Sequence, residues 1–149
     1  KGQYTLTLDG LKAGSLERKT PALEIQGDLT LVLKKGTESE LLSADAALKK
    51  GAGTLTIRGE GSLRLQGETA LEGEWKEETL NQDEPSALRI EGGKLVFTGE
   101  ETALYEDTVE LAGGEIQIQC LNGKGTGIRA HTLDDRHFSG SLEMEESEE

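Results

Sequence analysis

The residues with the clearest chemical potential lie around the single tryptophan of the chain, Trp75. Glu72 and Glu74 precede this indole closely in the sequence, and Tyr105 is the next candidate aromatic residue. A ring face that stacks on a sugar, with carboxylates that accept hydrogen bonds from its hydroxyl groups, is a common solution for carbohydrate binding. We therefore predict a carbohydrate site formed by Trp75, Glu72, Glu74 and Tyr105. The alternative, that Trp75 only covers apolar surface beneath its own loop, stays open.

Catalytic chemistry has weaker support. A polysaccharide lyase needs calcium and a basic residue, commonly Arg, that removes a proton beside a uronate carboxyl group. The candidates lie close together in sequence but form no recognisable constellation: Arg129, Arg136, Lys124 and the pair Asp134-Asp135. We therefore expect no enzymatic activity, and a calcium-dependent polysaccharide lyase relative is the less favoured interpretation.

Calcium is the one cofactor that the sequence leaves open. The ion takes six or more oxygen ligands, which must converge on one point. Candidate ligands are Asp83, Glu84, Glu106, Asp107, Asp134 and Asp135. Because carboxylates are abundant throughout this chain, their proximity in sequence assigns no metal site.

Composition limits the partners and the fold class. The 149 residues carry a formal net charge of −13, which would repel phosphate backbones, so we expect no nucleic acid partner. No long apolar run is present, so we expect no membrane insertion. The 20 glycines and the 34% hydrophobic content favour short β-strands with tight corners. The lone Cys120 sits at an inward position of an alternating segment and is expected to be a buried small hydrophobe.

The elements that must position these residues show a repeated pattern. Alternating apolar residues, a glycine pair and a second alternating run occur in the segment 88–97 and again in 109–120. The two copies start 21 residues apart, at Leu88 and Val109. Two earlier copies are predicted at 23–33 and 55–65, with Leu23, Leu55 and Leu88 as equivalent positions. A fixed period with alternation inside it is typical of a β-solenoid, and the longer spacings predict surface insertions, one of them at about 68–86.

A hairpin interpretation of the glycine pairs is the alternative. Gly92-Gly93 and Gly113-Gly114 suit two-residue turns, which would give an antiparallel β-sandwich. With Gly27-Asp28 as the turn, however, Ile25 would face Thr30 and the apolar residues would fall on opposite faces. We therefore predict an all-β, right-handed parallel β-helix of about five coils. Residues 1–142 are expected to form one domain, with 143–149 as a frayed acidic tail.

Three stretches carry a resemblance to a known family. They are LEIQGDLTLVLKKGTESELLS from Leu23, DAALKKGAGTLTIRGEGSLRL from Asp45, and ALYEDTVELAGGEIQIQCLNGKGTGIRA from Ala103. Over most of 4–130 the chain resembles the bacterial carbohydrate-binding β-helix proteins, once described as a domain of unknown function. The resemblance implies a right-handed parallel β-helix shaped like the pectate lyases, extracellular or on the cell surface. It also implies binding to a polysaccharide or cell-surface glycan, with calcium in some members. We further expect the sequence to be part of a larger exported protein; a structural or adhesive module that binds protein is the alternative function.

Overall fold

The chain folds into a parallel β-helix of about five coils, as predicted. The structure is a computed structural model that describes residues 3–51, 53–73, 86–121, 126–130, 132–136 and 138–146. All strand pairings among these residues are parallel, and no helix is found in them. A complete coil places one strand segment on each of three sides, so the cross-section has three sides.

One side of the helix is a six-stranded sheet, which we call sheet 1. Its strands contain the alternating Leu, Ile and Val residues that begin each repeat. In spatial order they are β1 (Gln3–Leu8), β4 (Asp28–Leu33), β7 (Gly53–Gly59), β9 (Ser86–Ile90), β11 (Thr108–Leu111) and β14 (Thr132–Asp134).

The other two sides belong to a nine-stranded sheet, which divides into two arms at Gly67 and Gly99. Arm a contains β2 (Lys12–Ser15), β5 (Glu38–Ser43), the first parts of β8 (Ser62–Glu72) and β10 (Lys94–Tyr105), β12 (Glu115–Cys120) and β15 (Ser141–Glu146). Arm b contains β3 (Leu23–Ile25), β6 (Ala46–Lys50), the second parts of β8 and β10, and β13 (Thr126–Arg129).

Strand register gives the length of each coil and corrects one sequence alignment. Equivalent positions on sheet 1 are Tyr4, Leu29, Leu55, Leu88, Val109 and Leu133, so successive steps are 25, 26, 33, 21 and 24 residues. The predicted equivalence of Leu55 with Leu88 and of Leu88 with Val109 is confirmed. The predicted equivalence of Leu23 with Leu55 is wrong, because Leu23 lies on arm b opposite Leu48. Strands of sheet 1 and of arm b have the same period-2 alternation of apolar residues, so this pattern alone does not show to which sheet a strand belongs.

The antiparallel sandwich is excluded by the same pairings. The strand before Gly92-Gly93 pairs with β7 and β11, and the strand after it pairs with β8 and β12. The glycine pair therefore turns a corner between two sides of the helix. Gly93 has a φ of 101° and Gly114 a φ of 95°, values that L side chains rarely adopt. Glycine is required at these corners as it would be in a hairpin turn, which explains why the two interpretations share a sequence pattern.

The core consists of inward side chains stacked on their equivalents in neighbouring coils. One column contains Leu31, Ile57, Ile90 and Leu111, all buried. Phe97 is the largest fully buried side chain and lies on arm a between Leu65 and Ile118. Cys120 is buried, as predicted.

The last strand extends beyond the boundary expected from the sequence. β15 runs from Ser141 to Glu146 and pairs with β12 as far as Cys120. Residues 143–146, which were expected to belong to the acidic tail, are therefore part of a strand of the β-helix, and 147–149 lie outside the described residues. Within the described part of the chain, no helix has the length and apolar character to cross a membrane.

Candidate functional site

The predicted site residues that the structure describes lie together on the outer surface of arm b. Strand register aligns Glu24, Lys49, Glu72, Tyr105 and Arg129 in one row across five consecutive coils. Alternation points this row outward, because the neighbouring positions Leu48, Leu71 and Leu104 are buried in the core. Glu72 and Tyr105 are direct register partners, so their side chains are neighbours.

This row borders a surface depression of about 450 Å³, which we call the corner depression. It is lined by Glu24, Gln26, Lys49, Lys50, Gly51, Glu72, Gly73 and Tyr105. The Arg129 guanidinium lies 5.7 Å from the Tyr105 ring centroid, within the range of a cation–π interaction. The depression therefore combines one aromatic ring, held by Arg129, with carboxylate, amide and ammonium groups.

A buried polar cluster lies directly behind the corner depression. The Lys50 ammonium and the Glu106 carboxylate form an ion pair with Nζ 2.8 Å from Oε2, and both side chains are 0% exposed. Lys50 Nζ also donates hydrogen bonds to Gly51 O at 3.0 Å, Gly53 O at 2.8 Å and Ser86 Oγ at 2.9 Å. These three acceptors use the three N–H groups of the ammonium. Oε2 accordingly has no hydrogen bond of good geometry among the described residues, and its contact with Lys50 is electrostatic.

Ser86 and the backbone complete the cluster. The Ser86 hydroxyl donates to Glu106 Oε1 at 2.7 Å, and the Asp107 N–H donates to the same oxygen at 2.7 Å. Ser86 thus accepts from the cation and donates to the anion. Buried charges are costly unless they are paired and hydrogen-bonded. Here the two charges are paired, Lys50 uses all three of its N–H groups, and Glu106 accepts two hydrogen bonds at Oε1.

Gly73 makes the ion pair possible. The register that aligns Lys49 with Glu72 and Glu72 with Tyr105 places Gly73 one position further, between Lys50 and Glu106 in the coil stack. A Cβ atom at Gly73 would overlap the Glu106 carboxylate. Without a side chain at this position, Lys50 and Glu106 reach each other across the intervening coil. The Gly73 N–H donates to Tyr105 O at 2.5 Å, which links the cluster to the aromatic residue of the depression.

The four residues predicted from sequence have different outcomes. Glu72 and Tyr105 are adjacent and line the corner depression. Trp75 and Glu74 lie outside the described residues, so their part of the prediction stays a prediction. Gly73 and Ser86, which flank the undescribed range 74–85 in sequence, are both tied to the buried cluster.

The calcium candidates are not assembled into a metal site in the part of the chain that is described. No group of three or more His, Cys, Asp or Glu side chains able to hold a metal ion occurs there. Glu106, a candidate calcium ligand from sequence, is instead the buried partner of Lys50. Arg136 binds Asp134 of its own turn through Nε at 3.0 Å and NH2 at 2.9 Å, and this hydrogen-bonded carboxylate raises the pKa of the arginine. Asp83, Glu84 and Lys124 lie outside the described residues.

Sequence reasoning missed Lys50 as a site residue, although a signal was present. On β6, Ala46, Leu48 and Lys50 occupy alternate, inward positions. Two coils further along, Leu104 near the end of β10 and Glu106 just after this strand do the same. A lysine and a glutamate at inward positions of different coils are a specific sign of a buried ion pair. Their separation of 56 residues hid the pairing until the register was known.

Comparison of the chain with protein-family models, curated proteins and solved structures found no significant match. A function for the chain is therefore argued from the chemistry of the described surfaces.

Proposed function

We propose that this chain is a non-catalytic carbohydrate-binding module of an exported bacterial protein, and that the corner depression is its glycan site. One observation carries the proposal: Glu72 and Tyr105, two of the residues that the sequence predicted, are register partners on the edge of an open depression. An aromatic ring beside a carboxylate matches the apolar face and the hydroxyl groups of a pyranose. The extracellular or cell-surface location is proposed from the resemblance alone.

The charges around the depression favour a neutral glycan. Glu24 and Glu72 are the outward carboxylates and Lys49 is the outward ammonium, while the charges of Lys50 and Glu106 compensate each other. With Arg129 beside Tyr105, two carboxylates are balanced by two cations, so the depression offers no net positive charge to attract an acidic polymer. Neutral sugar hydroxyl groups, by contrast, can donate to Glu24 and Glu72 and accept from Lys49 and the Gln26 amide.

Isothermal titration calorimetry with a panel of soluble neutral oligosaccharides, with and without calcium, tests the proposal. We expect Tyr105→Ala to weaken binding by about threefold to tenfold, the range of one aromatic stacking contact. Glu72→Gln should also weaken it, because an uncharged amide is a poorer acceptor than a carboxylate. Tyr4→Ala is the matched control, since Tyr4 is the other of the two tyrosines in the chain and lies exposed on β1.

Trp75 provides an independent readout because it is the single tryptophan of the chain. A saturable change of its fluorescence with sugar, lost in Trp75→Ala while circular dichroism is unchanged, would add Trp75 to the site. If no glycan binds at millimolar concentration by either method, or if Tyr105→Ala binds as well as Tyr4→Ala, the proposed site is wrong. In the first case the structural or adhesive module becomes the better hypothesis.

A further inference from the structure

A second depression, larger than the corner depression, crosses the outer face of arm a. It has a volume of about 490 Å³ and is lined by residues from all six strands of that arm, from Lys12 on β2 to Glu143 on β15. Neighbouring strands lie about 4.8 Å apart, so six strands extend about 24 Å along the helix axis. We call this surface the axial groove. Its lining spans six strands, which suits an extended chain better than a compact ligand.

The side chains of the axial groove form two rows in register. The first row is Glu38, Ser62, Lys94, Glu115 and Ser141, and the second is Lys12, Glu40, Arg64, Val96, Gln117 and Glu143. Val96 is the single apolar member of the two rows. The groove therefore presents mixed hydrogen-bond donors and acceptors at the spacing of the coils, interrupted at Val96.

The charged groups of the groove are not paired with one another, in contrast to those on sheet 1. Arg89 on sheet 1 donates to Glu91 and to Glu110, and these hydrogen bonds raise its pKa. In the groove, no ion pair with another described residue is formed by Lys12, Glu38, Glu40, Lys94 or Glu115. Their hydrogen-bonding capacity faces solvent and can be used by a ligand.

We infer that the axial groove binds an unbranched, neutral polysaccharide chain that lies along the helix axis. Three cations and four carboxylates line the groove, so its local charge is close to zero although the whole chain carries −13. A neutral polymer of hydroxyl groups meets no net repulsion there. Each hydroxyl can both donate and accept, which fits rows that mix carboxylates with ammonium, guanidinium and amide groups.

An extended polypeptide fits the groove less well. Peptides that add to a β-sheet do so at an exposed edge, where free backbone groups are present. The strands β5, β8, β10 and β12 are each paired on both sides within arm a, so the floor of the groove offers side chains and no free strand edge. A glycan needs side-chain partners only.

This inference rests on the proposed function for the class of ligand but uses different residues. The test is calorimetry with a length series of one neutral linear glycan, from trisaccharide to hexasaccharide. A groove of this length predicts that affinity rises with chain length, because each added sugar meets a new coil. The double variant Arg64→Ala/Lys94→Ala should lower hexasaccharide affinity at least tenfold and remove the length dependence. Arg58→Ala/Lys35→Ala, which removes the same charges from exposed positions outside the groove, is the matched control.

The outcomes separate the two proposals. Length-dependent affinity that survives Tyr105→Ala and is lost in Arg64→Ala/Lys94→Ala supports the axial groove. Equal affinity across the series, or equal loss in the groove variant and its control, overturns the groove and leaves the corner depression to its own test. Loss of all binding in Tyr105→Ala also overturns the groove as an independent site. Binding of an extended peptide that competes for the groove, with no glycan bound, overturns both.

Discussion

Replacing Lys50 by methionine should strongly destabilise the β-helix. Methionine keeps the approximate length and apolar stem of lysine but removes the ammonium that contacts Glu106 Oε2 at 2.8 Å. The Glu106 carboxylate would remain buried without its cation. Gly51 O and Gly53 O would also lose their hydrogen-bond donor.

The expected magnitude follows from the complete burial of the pair. Removal of one partner of a buried ion pair costs about 3–5 kcal/mol, because the other charge is left uncompensated. For a domain of about this size, each kcal/mol lowers Tm by about 2–4 °C, so Lys50→Met should lower Tm by about 6–20 °C. Lys49→Met is the matched control: the same substitution at the adjacent, exposed position should change stability by about 0.5 kcal/mol or less.

Urea and thermal unfolding followed by far-UV circular dichroism would measure both variants. Lys50→Met/Glu106→Met completes a double-mutant cycle, and its loss should be smaller than the sum of the two single losses. Recovery should be incomplete, because Ser86 Oγ and the Asp107 N–H would lose a partner. If Lys50→Met is no less stable than Lys49→Met, or if the single losses are additive, the buried pair does not stabilise the protein as described.

Two further predictions concern the same corner and the far side of the core. Gly73→Ala should lower the free energy of unfolding by about 1–3 kcal/mol, the usual cost of overpacking, because the new Cβ would overlap the Glu106 carboxylate. Chemical denaturation measures this loss, and a variant as stable as the wild type would contradict the described packing. The Cys120 thiol, which is 1% exposed, should react with a thiol reagent at the rate of unfolding, slowly in buffer and rapidly in denaturant; rapid modification of the folded protein would show that the end of β12 is open.

The architecture could be predicted from the sequence because the apolar pattern that drives folding is local and periodic. Inward residues such as Leu88, Ile90, Val109 and Leu111 alternate along each strand and recur at the coil spacing, and the structure stacks them as expected. The assignment of Leu23 to the column of Leu55 failed because period-2 alternation is common to all three sides of the coil. Only the number of residues between corners distinguishes these sides, and that number varies from coil to coil.

The candidate site was predictable in part for a different reason. Glu72 and Tyr105 were selected by chemical type, and register then made them neighbours although 33 residues separate them in sequence. The ion pair of Lys50 and Glu106 depends on a contact across two coils, which no local pattern specifies. Gly73, which gives the pair its space, has no distinguishing feature among the 20 glycines of the chain.

The path of that ion pair across Gly73 changes how the coils depend on one another. In a solenoid each coil normally contacts only its immediate neighbours, so stability is shared between adjacent coils and the ends can open while the middle stays closed. Lys50 ends one coil, Glu106 ends the coil two further along, and Ser86 begins the latter. The three central coils are thus joined by a bond that bypasses the one between them. Opening any one of them breaks contacts of all three, so we expect the centre of this β-helix to unfold as one unit, as a globular core does.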